Sequence, residues 1–146
     1  MARLVFITGA SSGIGFAAAR AFALAGADVA LTARGERGLE AAAAEARALG
    51  AHAVVIPADI SERAEAERVV EEAADSLGGL DVLAWCAASM VFGTFSDVEP
   101  DDYDRTTAVT YTAPGWTIET VTGLPASISS IRRDPRKPRS ACLAAA

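Results

Sequence analysis

The chain is poor in cysteine: Cys86 and Cys142 are its only two. They make no metal-ligand spacing, and a single pair is no disulfide framework, so no metal site is expected. An apolar run long enough to span a bilayer is also missing, and no charged-then-apolar leader precedes the first apolar stretch at Leu4. These absences predict a soluble, cytoplasmic protein with no membrane partner. Basic charge is concentrated in one place. Arg132, Arg133, Arg136, Lys137 and Arg139 stand within eight residues, against a formal charge of −6 for the whole chain. No aromatic residue is interleaved there for base stacking, and Pro135 and Pro138 interrupt the run. It reads as a solvated loop, with no nucleic-acid partner expected.

What the chain has is apolar and small. Its 146 residues are 51% hydrophobic and rich in alanine, which suits one domain built as a helix-covered parallel sheet. Short apolar runs at Leu4–Ile7, Asp28–Ala33, His52–Pro57 and Leu80–Cys86 read as buried strands. Between them, Ile14–Ala25, Glu36–Leu49 and Ser61–Leu77 read as helices, the second ended by Gly50 and the third by Gly78-Gly79. Ser61 is a plausible N-cap for the third. This alternation implies βαβ units with right-handed crossovers, a Rossmann-like doubly wound sheet. After Asp101 the pattern blurs, because Pro114-Gly115 interrupts a helix-like stretch. Residues 125–131 are consistent with a shortened fifth strand, followed by loop and the start of a helix.

The most informative segment is Thr8-Gly9-Ala10-Ser11-Ser12-Gly13-Ile14-Gly15. A glycine turn between a strand and a helix gathers backbone N–H groups at a helix N-terminus, where a pyrophosphate binds. Gly9 allows the turn, Gly13 lets a ligand approach the backbone, and Gly15 lets helix and strand pack closely. Ser11, Ser12 and Ile14 fill the same loop. In such folds the end of the second strand meets the adenosine ribose. An acidic side chain there would accept from the ribose 2′-OH. This chain has Ala33-Arg34, and a guanidinium pairs with a 2′-phosphate, so the residues lean towards NADP over NAD. The alternative for Arg34 is an ordinary surface arginine at a strand end.

The spacing Gly-x-x-x-Gly-x-Gly, with Thr8 before it and Ala-Ser-Ser within it, closely resembles the short-chain dehydrogenase/reductase family. That resemblance implies an oxidoreductase passing a hydride between a nicotinamide cofactor and a small alcohol or carbonyl substrate. It assigns Asp59 and Ile60 to the adenine, although an aspartate turn would also explain Asp59. It assigns Ala87 to the cofactor as the remnant of the family's Asn-Asn-Ala-Gly, here Trp85-Cys86-Ala87-Ala88. Thr110 stands where the family carries a structural asparagine.

The catalytic end departs further. Ser130, with Ser129 as the alternative, matches the family's substrate-positioning serine. Where Tyr-x-x-x-Lys is expected, Ser140-Ala141-Cys142-Leu143-Ala144-Ala145-Ala146 puts Cys142 at the tyrosine and Ala146 at the lysine. Tyr103 and Tyr111 have Thr107 and Gly115 four residues on, so neither replaces the pair. The resemblance therefore implies cofactor binding more strongly than catalysis, leaving open an inactive dinucleotide-binding module or a partner-dependent structural protein. The chain reads as a C-terminally shortened relative, whose exposed sheet edge would favour self-association.

Overall fold

The computed structural model describes residues 2–94 and 96–123. Four strands, β1 (Leu4–Thr8), β2 (Asp28–Ala33), β3 (Ala53–Pro57) and β4 (Val82–Trp85), form one parallel sheet in the order β3-β2-β1-β4. The register runs from Leu4 opposite Asp28 to Thr8 opposite Thr32, and from Val5 opposite Val82 to Thr8 opposite Trp85. Helices α1 (Gly13–Leu24), α2 (Glu36–Ala48) and α3 (Arg63–Leu77) connect them.

The two inner strands, β1 and β2, are buried on both faces along most of their length, as a parallel sheet requires, so their sequences are largely apolar. The outer strands β3 and β4 are only partly buried. Alternate residues point to opposite sides. Val5, Ile7, Val29 and Leu31 pack with Ala19 and Ala23 of α1 and with Leu39, Ala42 and Ala46 of α2. Phe6, Ala30 and Ile56 pack on the other side with Val69, Val70 and Ala73 of α3 and with Val121. The many alanines let the helices lie close to the sheet. The architecture is the expected three-layer, doubly wound one.

Two local expectations fail. Ser61 is not an N-cap: α3 starts at Arg63, and Glu62 holds the cap position without a side-chain hydrogen bond. The Ser61 hydroxyl instead donates to Asp59 Oδ1 at 2.8 Å, and its N–H donates to the same atom at 3.1 Å. An aspartate bonding two residues ahead closes its own turn, and this competes with capping.

Pro114-Gly115 does not break the helical stretch either. A helical path continues from α4 (Pro100–Thr107) through a π-turn (Ala108–Thr112) into α5 (Ala113–Gly123). Ala113 N–H bonds Ala108 O, five residues back. The wider turn takes up the proline, whose ring would clash with the carbonyl four residues back in a regular α-helix. The fifth strand expected at 125–131, the basic cluster, Ser130, Ser129, Cys142 and Ala146 all lie outside the described residues.

Candidate functional site

The strands' C-terminal ends and the helix N-termini open onto one cleft of about 720 Å³. Gly9, Ser11, Ser12, Gly13, Ile14 and Gly15 line it from the first turn. Arg34 lines it from the end of β2, Asp59 and Ile60 from the end of β3, and Ala87 from the end of β4. The fold thus brings together all ten cofactor-site residues expected from sequence. It also adds some that sequence reasoning missed, chiefly Arg105 and Val109 from the helical path beyond β4, and Cys86.

The glycine turn is built by close approach. Gly9 has φ +68°, and a Cβ there would meet Ala87 N at 2.8 Å and Cys86 C at 2.9 Å. A Cβ on Gly15 would run into the Gly9 carbonyl. Both positions therefore exclude a side chain, and the helix start is held tight against the strand end. Ser12 holds the N-cap position of α1 but makes no side-chain cap, and the first turn carries no acidic residue. The first intrahelical bond is Phe16 N–H to Ser12 O at 3.2 Å. The preceding N–H groups and the positive end of the helix dipole therefore meet the cleft uncompensated, which favours an anion.

The far wall is polar and paired. Asp59 Oδ2 accepts from Arg105 Nη2 at 2.6 Å, across 46 residues of chain. Burial alone would push the Asp59 carboxyl up. Hydrogen bonds from the Ser61 hydroxyl, the Ser61 N–H and Arg105 outweigh it and hold the group below the usual aspartate value. Asp59 is therefore ionised at neutral pH.

At the β4 end, Thr8 Oγ1 accepts from the N–H groups of Cys86 and Ala87, both at 3.2 Å. Burial pushes the Cys86 thiol up, so it stays protonated. Thr110, within the π-turn, accepts from Ser89 N–H and donates to Ser89 O, both at 3.3 Å. Its hydroxyl thereby pins the segment after β4. Arg105 carried no signal in isolation, because its partner lies at the end of β3. Thr110, expected at the position of the family's structural asparagine, finds its partner in Ser89 beyond β4. A charged residue four positions before an apolar one, Arg105 and Val109, was the available hint of a helix face turned to the cleft.

This is a doubly wound α/β domain with its cleft outside the carboxyl ends of the strands. A model described as short chain dehydrogenase matches residues 3–126, and the chain belongs to that family. A short-chain dehydrogenase/reductase of Armillaria gallica is 38% identical over 109 residues, which are 73% of this chain and 42% of that protein. Among solved structures, a short chain dehydrogenase from Burkholderia cenocepacia in complex with NADP superposes with a TM-score of 0.80 at 33% identity. A blue fluorescent protein from a metagenomic library, in complex with NADPH, does so with 0.78 at 35%. Each match covers 83% of this chain and 50% of the solved chain. The chain thus spans about half the length of these relatives. Among the described residues, no helix is long and apolar enough to cross a membrane.

Proposed function

We propose that this cleft binds a nicotinamide dinucleotide, NADP(H) in preference to NAD(H), for hydride transfer with a small alcohol or carbonyl compound. The observation that carries the reading is the uncapped N-terminus of α1, opening beside Gly9 and Gly15 onto the cleft that Arg34 also lines. The residues present fit the group. Donors without a competing carboxylate suit a pyrophosphate, and a Cβ on Gly13 would meet nothing within 4 Å, so the approach is open.

The loop Gly9, Ser11, Ser12, Gly13, Ile14 and Gly15 would hold the pyrophosphate, and exposed Arg34 would pair with a 2′-phosphate. Asp59 and Ile60 would border the base, and Ala87 would border the cofactor where β4 ends. Bound there, the dinucleotide supplies or accepts the hydride. Ser130 is assigned to orient the substrate oxygen. Related structures holding NADP and NADPH support the cofactor class.

A second reading is binding without turnover, which the placement of Cys142 and Ala146 at the family's tyrosine and lysine favours. A positioned acid–base group is commonly worth about 10²–10⁴ in rate. We also propose that the chain self-associates through an exposed sheet edge; a mass independent of concentration in sedimentation would sink that reading.

Calorimetric titration of the chain with NADPH and NADH tests the cofactor reading. Saturable binding that favours NADPH, and that loses this preference in Arg34→Asp, supports it. A folded chain that binds neither nucleotide overturns it. Hydride transfer to a panel of carbonyl compounds then separates the enzyme from the inactive binder.

A further inference from the structure

The proposed cofactor reading leaves Arg105 without a role, yet Arg105 and Val109 form a cleft wall together. They stand four residues apart on one face of the helical path. Sheet order β3-β2-β1-β4 places the loop after β1 beside the end of β2, and that end beside the end of β3. A dinucleotide with its pyrophosphate on α1 and its ribose at Arg34 therefore directs its base towards Asp59, Ile60 and Val109. Ile60 and Val109 are apolar and largely buried, suited to the faces of a planar ring. Asp59 is the acceptor at its edge.

We infer that Arg105, by fixing the Asp59 carboxylate, makes this wall selective for a purine that offers an exocyclic amino group. The inference rests on the proposed cofactor reading. Asp59 Oδ1 already takes two donors from Ser61, and Oδ2 takes one from Arg105. A carboxylate oxygen has two acceptor sites, so one position on Oδ2 remains for a donor from the ligand. Arg105 sets where that position points. Without Arg105, the carboxylate is held by Ser61 on one oxygen and is free to turn or hydrate on the other. A 6-amino group meets the remaining lone pair as a donor. A 6-oxo group there meets it as a second acceptor and is repelled. Arg105 is therefore a positioning residue that acts through Asp59.

The test compares NADPH with its hypoxanthine analogue, which differs by oxygen in place of the 6-amino group. Calorimetric dissociation constants are measured for the chain as it is, for Arg105→Met and for Arg105→Lys. The ion pair is more than a third exposed on both side chains, so its loss is compatible with folding. Circular dichroism checks that each variant is folded. The unaltered chain prefers the adenine nucleotide by about tenfold or more, as a hydrogen bond to a charged acceptor allows. In Arg105→Met the preference falls to within about threefold, and in Arg105→Lys most of it returns. Equal weakening of both nucleotides in Arg105→Met, with their ratio unchanged, makes Arg105 merely structural and overturns the inference. If both bind the unaltered chain equally, the base is not read here, and the inference fails while the cofactor reading stands. If neither binds, both fail.

Discussion

Thr8 Oγ1 accepts hydrogen bonds from two successive backbone N–H groups, those of Cys86 and Ala87, each at 3.2 Å. One buried hydroxyl thus joins the C-terminal ends of β1 and β4 beneath the cleft. Thr8→Val keeps the shape and removes the acceptor, leaving two N–H groups in a part-buried place. The expected cost is about 1–3 kcal/mol, since an unsatisfied donor loses its hydration without replacement. A urea melt checks this, and an unchanged midpoint would show that the bonds contribute nothing.

Ile14 offers a prediction in which stability and binding move in opposite directions. It stands in the first turn of α1, is 69% exposed, and has no acidic neighbour within that turn. Ile14→Asp places a carboxylate at the positive end of the helix and should stabilise the fold by about 0.3–1 kcal/mol. The same carboxylate opposes a pyrophosphate, so NADPH affinity should drop by about tenfold or more. Thermal denaturation and calorimetry read the two effects separately. Tighter NADPH binding would mean that the phosphates lie elsewhere.

Asp59 predicts a pH dependence. Burial acting on it alone would raise its pKa, but bonds from Ser61 and Arg105 prevail and leave it depressed. A depressed folded value stabilises fully above the unfolded value of about 3.9, and that share is lost as pH falls through the folded value. Exposure of 38% keeps the effect modest. Asp59→Asn should therefore be less stable than the unaltered chain at neutral pH. The gap should narrow as pH falls below about 4, the unfolded value, and close only below the depressed folded value, where the aspartate in the folded chain is itself neutral. Urea midpoints across that range check it, and a gap that widens on acidification would refute the sign.

Cys86 should react slowly. Burial pushes its thiol up from the usual value, and the thiolate is the nucleophile. In a Cys142→Ala background, alkylation by iodoacetamide at neutral pH should be slower than for a free thiol. Because Cys86 lines the cleft, NADPH should slow it further. Mass spectrometry of the labelled peptide reads both rates. Rapid labelling would indicate an activated thiol.

Much of the cleft was legible in the sequence. Leu4–Ile7 and Val29–Leu31 are apolar without alternation, and strands buried on both faces read that way. Gly9, Gly13 and Gly15 mark a strand-to-helix turn by spacing alone. The helix beyond β4 was harder to read. Pro114 signals a break in any regular helix, and the sequence carries no sign that a π-turn five residues wide absorbs it. Ser61 resembles a cap by residue type, but Asp59, two residues earlier, takes its hydroxyl first.

By itself the sequence determined local matters: which runs are buried and where the backbone must turn without a Cβ. Those properties depend on neighbours within a few residues. The tertiary structure decided the strand order β3-β2-β1-β4, the meeting of Asp59 with Arg105 across 46 residues, and the closing of one cleft from five separate chain segments. These follow from how α1 and α2 cover one face of the sheet while α3 and α5 cover the other. Packing on that scale brings distant residues together by burying apolar area, and apolar burial is non-directional. No single residue announces its partner.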